Sequence, residues 1–141
     1  MKIYAFDPGK LTGVAMWDTE AEEEFWSNQF TVTELYEFVD EACDRIGFSQ
    51  IEKFTITQAT IRKARESDPM DVIGYLKYAA WRCGFPIGWS MPAEVMQTFP
   101  DASLKKAGMF NRGNGHANDA ARHLAWHIVK NKIRPAGDFL L

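Results

Sequence analysis

The chain has 141 residues, of which 46% are apolar and 25% charged. This suits one globular domain with its own core and excludes wholesale disorder and collagen-like or low-complexity chains. The net charge of −3 hides an asymmetry, because residues 1–50 hold eleven acids and three bases, whereas residues 51–141 hold eight acids and thirteen bases. An acidic protein can therefore carry a basic surface; the plainer alternative is that the early acids only solvate one helix and one hairpin. The cysteines, Cys43 and Cys83, fit neither a metal-binding spacing nor a disulfide framework, and read as small core residues in a reducing compartment. Asp7 comes too early for a signal peptide. No apolar run approaches the roughly 18 residues of a membrane span. A soluble cytoplasmic protein is expected.

Lys2 to Phe6 is apolar on both sides and predicts a buried central strand, ended by the turn Asp7-Pro8-Gly9. Thr12 to Trp17 resumes strand character, so the two should form an antiparallel hairpin. Asp18 to Glu24 is an acidic turn, and Phe25 to Val32 supplies a third strand. Thr31 and Glu34 make a capping-box pattern, although Thr33 could cap instead. Leu35, Phe38, Val39, Ala42, Cys43 and Ile46 then form an apolar helical stripe, with Gly47 as its terminator. Phe48 to Thr57 predicts a fourth strand, and Gln58 to Pro69 a polar, basic loop or short helix. Asp68-Pro69 opens a helix to Cys83, with Gly84 beyond it. Phe85 to Met91 predicts a fifth strand, Pro92 to Phe99 a short helix, and residues 100–115 a turn-rich stretch. A final helix runs from about His116 to Lys130, and residues 131–141 are expected to fray. Three antiparallel strands followed by alternating helices and strands predict a mixed α/β layer fold in a single domain, 1–141.

This plan brings distant acids together. Asp7 ends the first strand, Glu52 lies on the fourth, and Asp119 lies in the first turns of the last helix. His116, three residues before Asp119, shares its helix face. Gathered carboxylates repel one another unless something offsets their charge. Hard oxygen donors with one imidazole suit Mg²⁺ or Mn²⁺. Two such ions about 4 Å apart can activate water and stabilise the leaving oxygen of a phosphodiester. Each residue also has a plainer reading: Asp7 as a turn acid, Glu52 as a solvated strand residue, and His116 and Asp119 as helix-start residues. His123, one turn further, reads as a supporting or surface residue and His127 as structural. Glu66, Asp68 and Asp71 form a competing acidic cluster, read as helix-start residues. Gly113-Asn114-Gly115 offers backbone freedom to bring His116 close.

Phe6-Asp7-Pro8-Gly9 with Thr12-Gly13, Ile51-Glu52-Lys53-Phe54, and Gly115-His116-Ala117-Asn118-Asp119-Ala120-Ala121 resemble the RuvC-like Holliday junction resolvases of the ribonuclease H-like superfamily. The phage-encoded branch is the nearest in appearance. The resemblance spans Lys2 to about Lys130. It implies a ribonuclease H-like mixed five-stranded sheet with helices on both faces, a homodimer, and Mg²⁺-dependent cleavage of four-way DNA junctions leaving a 5′-phosphate and a 3′-hydroxyl. Two Mg²⁺ ions per site are expected, with Mn²⁺ as a substitute. By family position Asp7, Glu52 and Asp119 would be metal ligands. His116 stands where many relatives have a further Asp, as a ligand or as a base near the attacking water. If the protein is phage-encoded, its compartment is the bacterial host cytoplasm.

Arg62, Lys63, Arg65, Lys105, Lys106 and Arg112 fall in expected loops near this site and are candidates for DNA contact. None has the spacing of a base-reading motif, so recognition of branched shape and backbone is expected. Two equivalent sites in a C2 dimer would match the two strands to be cut. The helix Pro69 to Cys83, with Tyr75, Tyr78 and Trp81, is the candidate dimer surface, core packing being the alternative. Competing functions are a flap or replication-fork nuclease with the same site and a non-catalytic junction-binding module. An ATP-handling domain of the actin and sugar-kinase type needs two such domains, and 141 residues supply one.

Overall fold

The computed structural model describes residues 1–21, 24–54 and 68–141. Five strands form one sheet: β1 (Lys2–Asp7), β2 (Leu11–Asp18), β3 (Phe25–Thr31), β4 (Ile46–Glu52) and β5 (Ile87–Ser90). Their spatial order is β3-β2-β1-β4-β5. β1 pairs antiparallel with β2, and β2 with β3, whereas β4 lies parallel to β1 and β5 parallel to β4. The helices are α1 (Val32–Ala42), α2 (Asp68–Cys83), α3 (Pro92–Thr98), α4 (Asp101–Ala107) and α5 (Gly115–Lys130). This is the expected mixed five-stranded α/β sheet covered by helices on both faces.

The period-2 alternation of side chains divides the core. Tyr4 and Phe6 of β1 and Val14 and Met16 of β2 face α1 and α2, where Leu35, Val39, Val72 and Leu76 meet them. Ile3, Ala5, Ala15 and Trp17 face α5, meeting Ala120, Ala121, Leu124 and Ile128. Alanine opposite alanine lets α5 lie close to the sheet.

Local chemistry explains the element ends. Thr31 is the cap of α1: its hydroxyl accepts from the Glu34 N–H, and the Glu34 carboxylate accepts from the Thr31 N–H. Thr33 is therefore not the cap. α1 ends at Ala42 and tightens into a 3₁₀ turn, Cys43–Arg45, so Ile46 opens a strand instead of closing the helix. Gly47 is not a helix terminator. It sits at a register shift between β1 and β4, where a Cβ would collide with the Met1 side chain.

Three further expectations are corrected. The turn-rich stretch 100–115 contains α4, closed by Gly108 in the left-handed conformation. The sequence suggests turns there because Pro100 and Gly108 bracket a helix of only two turns. The C-terminal segment does not fray: Phe139 is fully buried, edge-on to Phe99. Cys43 and Cys83 are not separate core thiols but form a disulfide joining the end of α1 to the end of α2. The Arg82–Asp40 ion pair, 2.6 Å, holds the same two helix ends together. A pair forty residues apart carries no framework signal, and only the side-by-side packing of α1 and α2 joins it. The fourth strand ends at Glu52, and the remainder of its expected span, from residue 55, lies outside the described residues. Among the described residues, no helix is long and apolar enough to cross a membrane.

Phe139 fills a fully buried position, so Phe139→Ala should lower the unfolding free energy by about 3–5 kcal/mol. Denaturant titration monitored by circular dichroism measures this; an unchanged midpoint would mean that the terminus does not pack.

Candidate metal centre

β1 and β4 are parallel neighbours, so their C-terminal ends, Asp7 and Glu52, emerge on the same side of the sheet. Both residues point to the face covered by α5. α5 crosses that face with its N-terminal turns over the strand ends, which delivers His116 and Asp119. Asp7, Glu52, His116, Asp119, Arg122 and His123 line one cavity of about 330 Å³, closed on one side by Pro92, Val95 and Met96 around α3.

Gly13 allows this approach. It pairs with Asp7 across β1 and β2. A Cβ on Gly13 would lie 1.8 Å from the His116 carbonyl oxygen and 2.3 Å from its carbonyl carbon. Backbone cannot yield as a flexible side chain can, so any larger residue would push α5 off β2. A Cβ on Gly115, by contrast, would meet nothing within 4 Å. The close contact therefore depends on the glycine of the strand and not on Gly115, while Gly113 serves the turn by adopting the left-handed conformation. The turn before α5 is fixed by Asn118, whose carboxamide accepts from the Asn111 N–H at 2.7 Å and donates to the Asn111 carbonyl at 3.0 Å. The Asn111 carboxamide in turn donates to the Ser27 carbonyl of β3 at 3.1 Å.

Asp7, His116 and Asp119 each offer a ligand atom, and these atoms lie within 4.8 Å of one another. His116 Nδ1 is 3.5 Å from Asp7 Oδ2. Glu52 stands beside this group, hydrogen-bonded to Asp7 and held by His123, whose Nε2 is 3.1 Å from Glu52 Oε2. His123 is buried, and its Nδ1 faces the Ser90 hydroxyl of β5 at 2.5 Å. Arg122, also buried, donates to the Phe99 carbonyl, to Asp119 at 2.7 Å, and to Asp101 at the start of α4.

The electrostatics follow from this crowding. Burial pushes the Asp7 carboxyl up to about 9, helped by its hydrogen bond to Glu52 and by the charges of Glu52 and Asp119. Burial would also raise Glu52, but hydrogen bonds with His123 and Asp7 and the charges of His123 and His116 outweigh it and leave Glu52 below the usual carboxylate value. Asp119 is raised by burial despite the opposing Arg122 charge. Asp7 thus holds a proton at a point where a cation could equally offset the charge. Hard carboxylate oxygens with one imidazole fit a divalent cation of the Mg²⁺ or Mn²⁺ class. Asp7, His116 and Asp119 are the most compact candidate ligands, with Glu52 adjoining.

All four candidate ligands from the sequence line this cavity. The supporting residues are less visible in the sequence. His123 carries a hint in its position one turn beyond Asp119, and Asn118 lies within the Gly115–Ala121 motif without a role being legible there, but Ser90, Arg122 and Asp101 belong to no recognisable motif. His127 stacks on Phe48, with ring centroids 4.2 Å apart. Asp68 and Asp71 occupy the first turn of α2. Of the candidate DNA contacts, Arg62, Lys63 and Arg65 lie outside the described residues, as does Glu66. Lys105 is over the Phe110 ring at 4.7 Å, and the Lys106 ammonium donates to the Leu140 carbonyl. Arg112 is exposed in the turn before α5.

No family model matches the sequence, and no curated protein matches it. Solved structures do resemble the fold. The chain is similar to Thermus thermophilus RuvC in complex with a Holliday junction substrate, with a TM-score of 0.71 at 16% identity over 94% of this chain and 96% of that one. A second T. thermophilus RuvC structure gives a TM-score of 0.68 at 16% identity, with the same coverage. The fold is therefore RuvC-like and ribonuclease H-like, and the likeness runs through nearly the whole of both chains.

Two outcomes follow from this geometry. Gly13→Ala should displace the start of α5, destabilising the protein and weakening divalent-cation binding together; calorimetric titration and thermal unfolding measure both, and an unaltered affinity would refute the close-approach argument. In chelator, between an ordinary Asp value of 3.8 and about 9 the folded protein holds a proton on Asp7 that the unfolded chain has released. Stability should therefore fall as pH rises through that window. Asp7→Asn should flatten the slope, and denaturant midpoints across pH read it directly.

Proposed function

We propose that this protein is a divalent-metal-dependent endonuclease of branched DNA that resolves four-way junctions. The observation that carries the reading is the convergence of Asp7, Glu52, His116 and Asp119 in one cavity at the C-terminal ends of β1 and β4. The RuvC-like fold supports it, as does the junction bound by one RuvC of similar fold.

In this reading Asp7, Glu52, His116 and Asp119 would hold Mg²⁺, two ions in the full site, and Mn²⁺ would substitute. A bound divalent cation lowers the pKa of water and offsets charge on the phosphodiester. The protein's own groups do the positioning. Asp7, the most buried of the acids, would be one of the residues holding the metal. His123 keeps Glu52 ionised and fixes its rotamer, and Ser90 fixes the ring of His123. Arg122 locks Asp119 against α4. His116, half exposed at the mouth of the cavity, would complete the ligand set or take a proton from the attacking water.

The same proposal includes a homodimer, so that two sites meet the two strands of a junction. Tyr78 and Trp81 on α2 are exposed, with ring centroids 6.0 Å apart, and support α2 as the dimer surface. Tyr75 is partly buried against the core, and its hydroxyl donates to the Tyr36 carbonyl at 2.9 Å. Lys105, Lys106 and Arg112, together with Arg62, Lys63 and Arg65, supply positive charge for the DNA backbone. Membership of the phage-encoded branch and action in the bacterial cytoplasm complete the reading.

Asp7→Asn should bind a labelled immobile four-way junction with near-normal affinity while nicking it roughly a hundredfold more slowly, or less. Gel-shift and nick-mapping assays with and without Mg²⁺ test this. Wild-type nicking by the variant would discard the metal site. Faster cutting of flaps or three-way forks than of four-way junctions would replace the resolvase by a related nuclease. Binding without cleavage in both Mg²⁺ and Mn²⁺ would leave a junction-binding module.

A further inference from the structure

β4 and β5 run parallel with Glu52 opposite Ser90 and Ile51 opposite Trp89. Glu52 and Ser90 face α5 and both reach His123. Their chain neighbours Lys53 and Trp89 must therefore face the opposite side of the sheet. There they border a cleft of about 420 Å³ whose other walls are Phe54 and, from α2, Met70, Ile73 and Lys77.

The composition of this cleft is unusual. Its floor is apolar and aromatic, and Trp89 on the edge strand is 41% exposed. Among the described residues, its only charged side chains are two lysines. Among the same residues neither Lys53 nor Lys77 forms an ion pair with a carboxylate, and the Lys77 ammonium lies 5.6 Å from the Trp89 ring centroid. The Lys53 backbone is held in place by its N–H bond to the Ser90 carbonyl, 2.9 Å. A partly exposed indole with one ammonium over its ring and a second at the border of the cleft, neither paired with a carboxylate among the described residues, matches a nucleobase with a phosphate on either side. The base would stack on the ring, and the phosphates would meet the lysines. An apolar peptide would use the ring but leave both lysines without a counter-charge.

We propose that this cleft takes one unstacked base of the DNA strand that enters the acidic cavity, with Trp89 as the stacking platform and Lys53 and Lys77 on the flanking phosphates. The inference deepens the endonuclease reading and rests on it for the identity of the strand. Lys53 follows Glu52 directly, so a strand passing over the end of β4 meets the acids on one face and the cleft on the other. The captured base lies within a few nucleotides of the cut. Trp89 is thereby a positioning residue that selects which phosphate is presented.

The test separates binding from cutting. In chelator, with cleavage silent, a fluorescently labelled thymidine pentanucleotide is titrated with the intact protein and with Trp89→Ala, Trp89→Phe and Lys77→Ala. Trp89→Ala should weaken binding about tenfold or more, Trp89→Phe should recover most of it, and Lys77→Ala should reduce the salt dependence. Equal affinity of Trp89→Ala and wild type overturns the proposal, whatever the nuclease assays give. In Mg²⁺, junctions carrying a single abasic nucleotide at successive positions around the nick are compared. One position should raise KM in the wild type and have no effect in Trp89→Ala; uniform response at every position also overturns it. A protein that binds the pentanucleotide through Trp89 but never cuts would retain the cleft and lose the endonuclease reading.

Discussion

Repulsion among carboxylates crowded into one cavity is the constraint around which this molecule is arranged. Asp7, Glu52 and Asp119 come from three elements that have no reason to converge except through the fold. Each loses hydration on the way in, and each raises the cost of ionising the others. The surroundings distribute that cost unevenly. Asp7 receives little help and retains a proton, whereas Glu52 is kept ionised by His123. Asp119, held by Arg122, falls between them. The most buried acid is thereby the most perturbed.

The supports of the site are themselves part of the core. Arg122 and His123 are buried residues of α5, anchored to α4 and to β5 respectively. Gly13, which has no side chain, sets how near α5 can come to the sheet. The short side chains Ala5, Ala15, Ala120 and Ala121 continue that close packing along the helix. Moving α5 by the width of a methyl group would therefore disturb the core and the cavity together. Stability and ligand placement are coupled here through one helix-to-sheet distance.

The opposite face of the sheet is organised differently. α1 and α2 are joined by the Cys43–Cys83 disulfide and by the Arg82–Asp40 ion pair. Met70, Ile73 and Lys77 of α2 border a cleft at the end of β5, where Trp89 stays partly exposed. The two faces meet where β4 and β5 end, so chemistry and strand recognition can be adjacent without sharing residues.

Much of the strand order and helix placement follows from the sequence, because periodicity and turn residues are local signals. Ile3 through Phe6 with Asp7-Pro8-Gly9, the Thr31 capping box and the alanine-rich stripe of α5 each declare their element within a few residues. Asp7 and Asp119 are legible for the same reason, since one ends and the other begins an element, whereas Glu52 is expected inside a strand to Thr57 and stands at a strand end only in the structure. The rest depends on contacts between distant positions. Nothing near Cys43 indicates Cys83, nothing near Phe139 indicates Phe99, and Gly13 gains its meaning only against the His116 backbone. Gly47 reads as a helix end and serves as a strand irregularity, since glycine permits either and only the pairing with β1 chooses. Local sequence thus dictates most of the elements and offers the candidate acids. The partners that hold those acids are chosen by packing, because burial and charge neighbours exist only once the chain has folded.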